Sequence, residues 1–170
     1  MLALLALTAS ALSACTPTPE PTPTPTAAFA SEAEAFAAAE EVYRAYNDAG
    51  NARRNGQSDP NPQDFLIGTA LEGDIDALNR LETAGLHLVG HVEVASFTPV
   101  SAKLEHGDVQ VEAVVCLDAT ETQVIDEDGT DVTPSNRVPV VAQAISFIGV
   151  DSELLISMED SAKEEPCDRG

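Results

Sequence analysis

The chain has 170 residues, enough for one domain plus tethering segments, and its 8 Lys and Arg against 29 Asp and Glu give a formal net charge of -21. That balance argues against a nucleic-acid binder, which needs clustered cations, and against electrostatic adhesion to an anionic membrane. Apolar residues make up 44 %, too many for a disordered acidic chain, while aromatics are 4 % with no Trp, so the core must be mostly aliphatic.

Leu2 to Ala11 are apolar or small. Roughly ten such residues are too few to span a bilayer, which takes about 20, but they suit the apolar region of a secretory signal. Leu12-Ser13-Ala14-Cys15 follows. This resembles the lipobox of bacterial lipoproteins, and the resemblance implies that Cys15 becomes the diacylglyceryl-modified first residue of the mature chain. Two acyl chains give stable anchoring where one is marginal. No Lys or Arg precedes Arg44. Either the true start lies upstream, or export accepts a neutral start.

Thr16 to Thr26 reads TPTPEPTPTPT. Alternating Pro fixes φ and removes backbone donors, so polyproline II is expected. Eleven residues at about 3.1 Å each reach roughly 34 Å, which fits an acidic domain held off an acidic surface. The expected organisation is therefore a signal peptide over 1–14, a lipidated Cys and linker over 15–28, and a folded domain over 29–170.

With Cys15 acylated, Cys116 and Cys167 remain as a pair in an oxidising compartment. Cys116 lies in the strand-like run VEAVVCLD and Cys167 in the polar stretch EEPCDRG. A bridge would pin the C-terminal stretch back on the sheet. The alternative is a reactive thiol at Cys116, and no His or Asn at a family spacing supports one.

Ser31 with Glu34 three residues on makes a capping-box pattern, and Phe36, Ala39, Val42, Tyr43 and Tyr46 recur at helical spacing. The helix should stop near Ala49-Gly50. Asn51 to Pro62 is turn-rich, and Phe65-Leu66-Ile67 reads as a short apolar turn or helix. A second helix is expected over Ala70–Ala84, with Leu71, Ile75, Leu78 and Leu81 as its stripe and Gly85 closing it. After Gly85 the period changes. Leu88-Val89 and Val92–Val94 read as one strand interrupted at Gly90. Val109 to Leu117 alternates and continues to Val124-Ile125, with Asp126-Glu127-Asp128-Gly129 as a hairpin signal. Val138–Phe147 and Leu154–Met158 are the last strands. Helices first, then about four strands, predicts an α+β fold with helices on one face of an antiparallel sheet.

This order resembles the NTF2-like (cystatin-like, SnoaL-like) fold, a curved sheet wrapped into a cone around N-terminal helices. The phrases GLHLVGHVEVASFTP, VVCLDAT, DEDGTDVTP and EPC are similar to those of small actinobacterial lipoproteins of that fold. The resemblance implies a cone that in many relatives encloses a pocket, and some relatives bind or isomerise small apolar molecules there. Fold alone confers no activity.

His87 and His91 form H-x-x-x-H, but in a strand four residues span about 13 Å, too far for one tetrahedral ion. No metal is expected; His87 and His91 stand as possible pocket groups. Asp126, Asp128 and Asp131 place Gly129 at the wrong position for an EF-hand, so a solvated hairpin tip is expected. Tyr43 and Tyr46 are candidates for the pocket, with core packing as the plainer reading. Asp118 shares a strand face with Cys116 and is read as a solvent-facing end. No G-x-S-x-G, P-loop, G-x-G-x-x-G or C-x-x-C occurs. The sequence thus leans toward a non-enzymatic binding or interaction module without a cofactor. A SnoaL-like small-molecule or isomerase-type pocket is the alternative. Its partners would be the membrane through the lipid, an unknown protein or small molecule, and a second copy through the sheet face if that face is apolar.

Overall fold

A computed structural model describes residues 29–105, 107–150, 153–162 and 167. The signal segment 1–14, the lipobox Leu12, Ser13, Ala14 and Cys15, and the Pro/Thr linker lie outside the described residues. Two helices come first, α1 (Glu32–Arg54) and α2 (Gly68–Thr83), with a single 3-10 turn, Pro62–Phe65, between them. The strands follow: β1 (Leu86–Val89), β2 (Glu93–Glu105), β3 (Asp108–Asp118), β4 (Gln123–Asp126), β5 (Val140–Val150) and β6 (Glu153–Ser161). The class is α+β, as the element order predicts. No helix among the described residues is long and apolar enough to cross a membrane.

Ser31 caps α1, its Oγ accepting from the Glu34 N–H at 3.2 Å, and the Glu34 carboxylate accepts in return from the Ala30 N–H at 2.9 Å. Ala35, Ala39 and Tyr43 are buried along one stripe. Two alanines let the helix axis lie close to the sheet, and the Tyr43 ring fills the space beyond them. The expected stop at Gly50 is wrong. The helix runs on to Arg54, capped by Asn55, with Gly56 taking the left-handed turn at φ 78°. Gly50 is buried within it, because contacts of the last turn outweigh its weak helix propensity.

On α2 only Ala70 is buried; Leu71, Leu78 and Leu81 are half-buried and Ile75 is 40 % exposed. The expected apolar stripe therefore stays partly uncovered. The helix is tied down at its start, where the Ile67 N–H donates to the Ile156 carbonyl and the Thr69 hydroxyl to the Ser157 carbonyl.

Four strands form an antiparallel sheet in the order β2-β3-β5-β6, and β1 pairs with β4 as a separate two-stranded sheet. The expected single strand through Gly90 is thus two strands in two sheets. Gly90, at φ 96°, makes the switch, and a Cβ there would stand 2.0 Å from the Glu121 carbonyl oxygen. Likewise β3 ends at Asp118, and Val124-Ile125 belongs to β4. On β3, Val109, Val111, Ala113 and Val115 point at the helices and are buried, with Ile145, Phe147, Leu154 and Ile156 beside them. Irregular register at Val94/Ser96, Pro99/Ser101 and Ser146/Phe147 marks bulges that bend the sheet around the core. The opposite face exposes Gln110 and Glu112, so it is not a continuous apolar surface.

Candidate functional site

Residues 43, 46, 47, 50, 53 and 54 recur at three- and four-residue steps along α1 and so share one side of the helix. That side faces the end of the sheet where β5 and β6 are paired. Alternation on β5 aims Gln143 inward, and Glu159 of β6 comes in opposite Ile145. A hollow of about 150 Å³ lies between them, lined by Tyr43, Tyr46, Asn47, Gly50, Gln143 and Glu159, with Arg53 and Arg54 at one side and Val92 and Leu117 at another.

The two tyrosines converge on one carboxylate. Tyr46 donates to Glu159 Oε2 at 3.0 Å, and Tyr43 donates to Glu159 Oε1 at 3.4 Å and to Gln143 Oε1 at 3.3 Å. Their rings meet edge-on, with centroids 5.8 Å apart. Burial raises the Glu159 carboxyl above the ordinary range, although the two phenol hydrogen bonds pull the other way. Burial likewise pushes both phenols up, and the nearby Glu159 charge adds to it. The tyrosines are therefore held as donors and the carboxyl takes up a proton more readily than a solvated one.

Beside this trio Arg53 forks onto Asp74 of α2, with Nη2 to Oδ1 at 2.6 Å and Nη1 to Oδ2 at 3.0 Å; the Gln63 amide adds a third bond at 3.0 Å. Burial works against the Asp74 charge, but those hydrogen bonds outweigh it and hold the carboxyl low. Among the described residues Arg54 has no such carboxylate partner. It donates from Nη2 to Asn51 Oδ1 at 2.7 Å, and its Nε is buried without a hydrogen bond. Burial lowers its pKa and the Arg53 charge lowers it further.

Arg53 and Arg54 also form one wall of a second hollow of about 380 Å³, whose other walls are Leu78, Leu81 and Glu82 of α2 and Leu86, His87 and Leu88 of β1. His91 lies elsewhere, on a separate hollow of about 260 Å³ with Glu93, Asp118, Thr120 and Glu121. The four possible pocket groups are therefore divided. Tyr43 and Tyr46 are together, His87 is on the adjoining hollow, and His91 is apart. Among the described residues no group of three or more His, Cys, Asp or Glu is placed to hold a metal ion. Asp118 accepts from the N–H and hydroxyl of Thr120, and those bonds keep its exposed carboxyl low. At the hairpin tip Asp126 accepts from the N–H groups of Asp128 and Thr130, an Asx-type turn. Cys116 and Cys167 are joined as a disulfide with Cα atoms 5.7 Å apart.

Glu159, Gln143, Arg53, Arg54 and Asp74 are absent from the sequence reading. Ending the last strand at Met158 left Glu159 in the tail, and ending α1 at Gly50 put both arginines in a loop. The helical spacing from Tyr46 to Asn47, Gly50, Arg53 and Arg54 is the signal that gathers the two arginines; Glu159, Gln143 and Asp74 come from other elements and have no such signal.

No family model matches the chain, and no curated protein matches it. Among solved structures, the chain is similar to the intermembrane space region of the chloroplast protein ARC6, with a TM-score of 0.51 at 13 % identity. The match covers 72 % of this chain and 92 % of that one. At that identity the likeness concerns the fold alone.

Proposed function

We propose that this chain is a lipid-anchored protein on the extracytoplasmic face of the cell membrane, and that its α+β domain, of the NTF2-like kind, is a small-molecule binding module. The observation that carries the binding role is the pair of adjoining hollows that share Arg53 and Arg54, one lined mainly by polar groups and one with four leucines in its lining. The anchor rests on Leu12-Ser13-Ala14-Cys15 after an apolar run and before a Pro/Thr stretch. The Cys116–Cys167 disulfide supports that compartment, since such bonds persist where the surroundings are oxidising. Cys15→Ala tests the anchor. The variant is expected to leave the membrane fraction, and mass spectrometry of the wild type should find diacylglyceryl-cysteine as its first residue. A variant that fractionates with membranes as tightly as the wild type defeats this reading.

One observation favours a second reading, an isomerase-type pocket of the SnoaL-like class. Glu159 binds its proton more tightly than usual and faces two phenol donors inside a hollow, which are the ingredients of proton transfer. Both of its oxygens already accept from tyrosines, which suits a fixed structural or binding group better. Turnover separates the two. An enzyme loses conversion but not binding in Glu159→Gln, whereas a binder shows no conversion in either form.

A further inference from the structure

We propose that the leucine-lined hollow takes an amphiphilic carboxylate, with its acid group on the Arg54 guanidinium and its apolar body along Leu78, Leu81, Leu86 and Leu88. The inference rests on the small-molecule reading above and names the ligand class for it. Three observations carry it.

The first is the state of Arg54 against that of Arg44, Arg53 and Arg137. Arg44 pairs with Glu40, Arg53 with Asp74, and Arg137 donates to the carbonyls of Ala119 and Thr122 and to the Thr122 hydroxyl. Arg54, among the described residues, has no carboxylate. Its one hydrogen bond goes to a neutral amide oxygen, and its Nε is closed off from water with no acceptor. A guanidinium partly stripped of water gains more from a carboxylate than an exposed one does, because the attraction is less screened and the hydrogen bonds are charge-assisted.

The second is local charge. Two guanidiniums stand side by side at the shared wall and Asp74 answers only one of them. In a chain of net charge -21 this is a place where an anion meets cations at short range. Glu82 also lines the hollow, and it is the acid that an anionic head must keep away from.

The third is the shape and lining of the hollow. Four leucines from α2 and β1 leave their faces uncovered around about 380 Å³. That is within the roughly 300–1,000 Å³ of small-molecule sites, which pair apolar walls with a few fixed polar groups. The uncovered parts of Leu78 and Leu81 on α2 are then part of the ligand's apolar surface rather than a packing defect.

The test is titration of the purified full-length chain with octanoate, octan-1-ol and octyltrimethylammonium, followed by NMR and calorimetry. Octanoate is expected to bind saturably and to shift the Arg54 Nε–H resonance, and to bind at least tenfold more tightly than the other two. Arg54→Gln should weaken octanoate about tenfold or more and leave octan-1-ol unchanged, with Arg54→Lys intermediate. Leu81→Asn should weaken both, and circular dichroism checks that each variant is folded. Equal binding of acid and alcohol, or octanoate bound by Arg54→Gln as by the wild type, overturns the carboxylate assignment and leaves a small-molecule site standing. Preference for the quaternary amine puts Glu82 in charge and also overturns it. No binding of any of the three defeats this inference and removes the support for the binding module beneath it.

Discussion

The side chain of Asn51 and the main chain of Val92 exchange two hydrogen bonds. The Val92 N–H donates to Asn51 Oδ1 at 2.8 Å, and Asn51 Nδ2 donates to the Val92 carbonyl at 3.0 Å. Asn51 is 6 % exposed. Its amide stands in for a strand partner at the crossing between β1 and β2, where the chain leaves one sheet for the other. It also accepts from Arg54 Nη2 at 2.7 Å, so one side chain fixes both the crossing and the orientation of the Arg54 guanidinium.

Replacing Asn51 should therefore cost stability and loosen the site together. Asn51→Leu strands the Val92 N–H, while the Val92 carbonyl keeps a bond from Asn47 Nδ2 at 2.9 Å. An orphaned buried donor costs about 1–3 kcal/mol, so a loss of about 2 kcal/mol is expected in urea unfolding. Asn51→Asp keeps the acceptor for Val92 and Arg54 and should lose about 1 kcal/mol or less. If Asn51→Leu unfolds at the wild-type midpoint, the amide does not hold this crossing.

The Tyr43–Tyr46–Glu159 trio makes a pH prediction. Glu159 has a folded pKa raised by burial, so the folded state holds its proton more tightly than the unfolded state does. Its contribution to stability is then fully present below the unfolded value of about 4.3, and is lost as pH rises through the folded value. Asp74 has the opposite sign. Its carboxyl is held low, so its contribution is lost only as pH falls below about 3.9. Glu159→Gln removes the first effect and leaves the second. The variant should gain on the order of 1 kcal/mol over the wild type at pH 7 and little at pH 4, read from melting at both pH values. An equal difference at the two pH values means that Glu159 does not titrate with folding.

Much of the fold was legible because it follows from local rules. The Ser31 cap, the Gly85 stop of α2 and the alternation on β3 each report a short-range preference, and each appears where the residues put it. Two of the departures share one cause. At Gly50 and at Gly90 the local signal was a glycine, and what decided the outcome was a partner more than thirty residues away in the chain. Gly50 stays helical within a turn whose Asn51 binds Val92, and Gly90 turns between sheets because the Glu121 carbonyl lies against it. The site suffered most, since Glu159 meets Tyr43 and Tyr46 only once β6 is laid beside β5 and α1 across them. Tyr43 and Tyr46 were visible as a helical pair; the acid that orients them was not.

Gly90 gives a sharp test of that sheet switch. Its φ of 96° lies in a region side chains avoid, and an added methyl would meet the Glu121 carbonyl oxygen at 2.0 Å, a backbone atom that cannot swing away. Gly90→Ala should cost about 3 kcal/mol or more and lower the melting temperature by well over 5 °C. Gly129→Ala is the control. It also has a positive φ, at 80°, but has nothing within 4 Å, so it should cost about 1 kcal/mol. Equal losses at the two positions would mean that the backbone angle alone, and not the packing of β1 against the β3–β4 connection, makes Gly90 necessary.

The disulfide couples the last described residue to the middle of the sheet. Cys116 is 4 % exposed on the side of β3 turned away from the helices, and Cys167 is 51 residues further on. In the chain-entropy account, closing a loop of that length restricts the unfolded chain by about 4 kcal/mol. Cys116→Ala with Cys167→Ala should lose roughly that much in denaturant unfolding, and the wild type should fall to the same value in reductant. Cys167→Ala alone should match the double variant in stability while leaving Cys116 slow to react with thiol reagents in the folded state, because the sulfur stays buried. Two free thiols in native protein isolated without reductant, or a double variant as stable as the oxidised wild type, would show that the C-terminal stretch is not held to β3 by this bond.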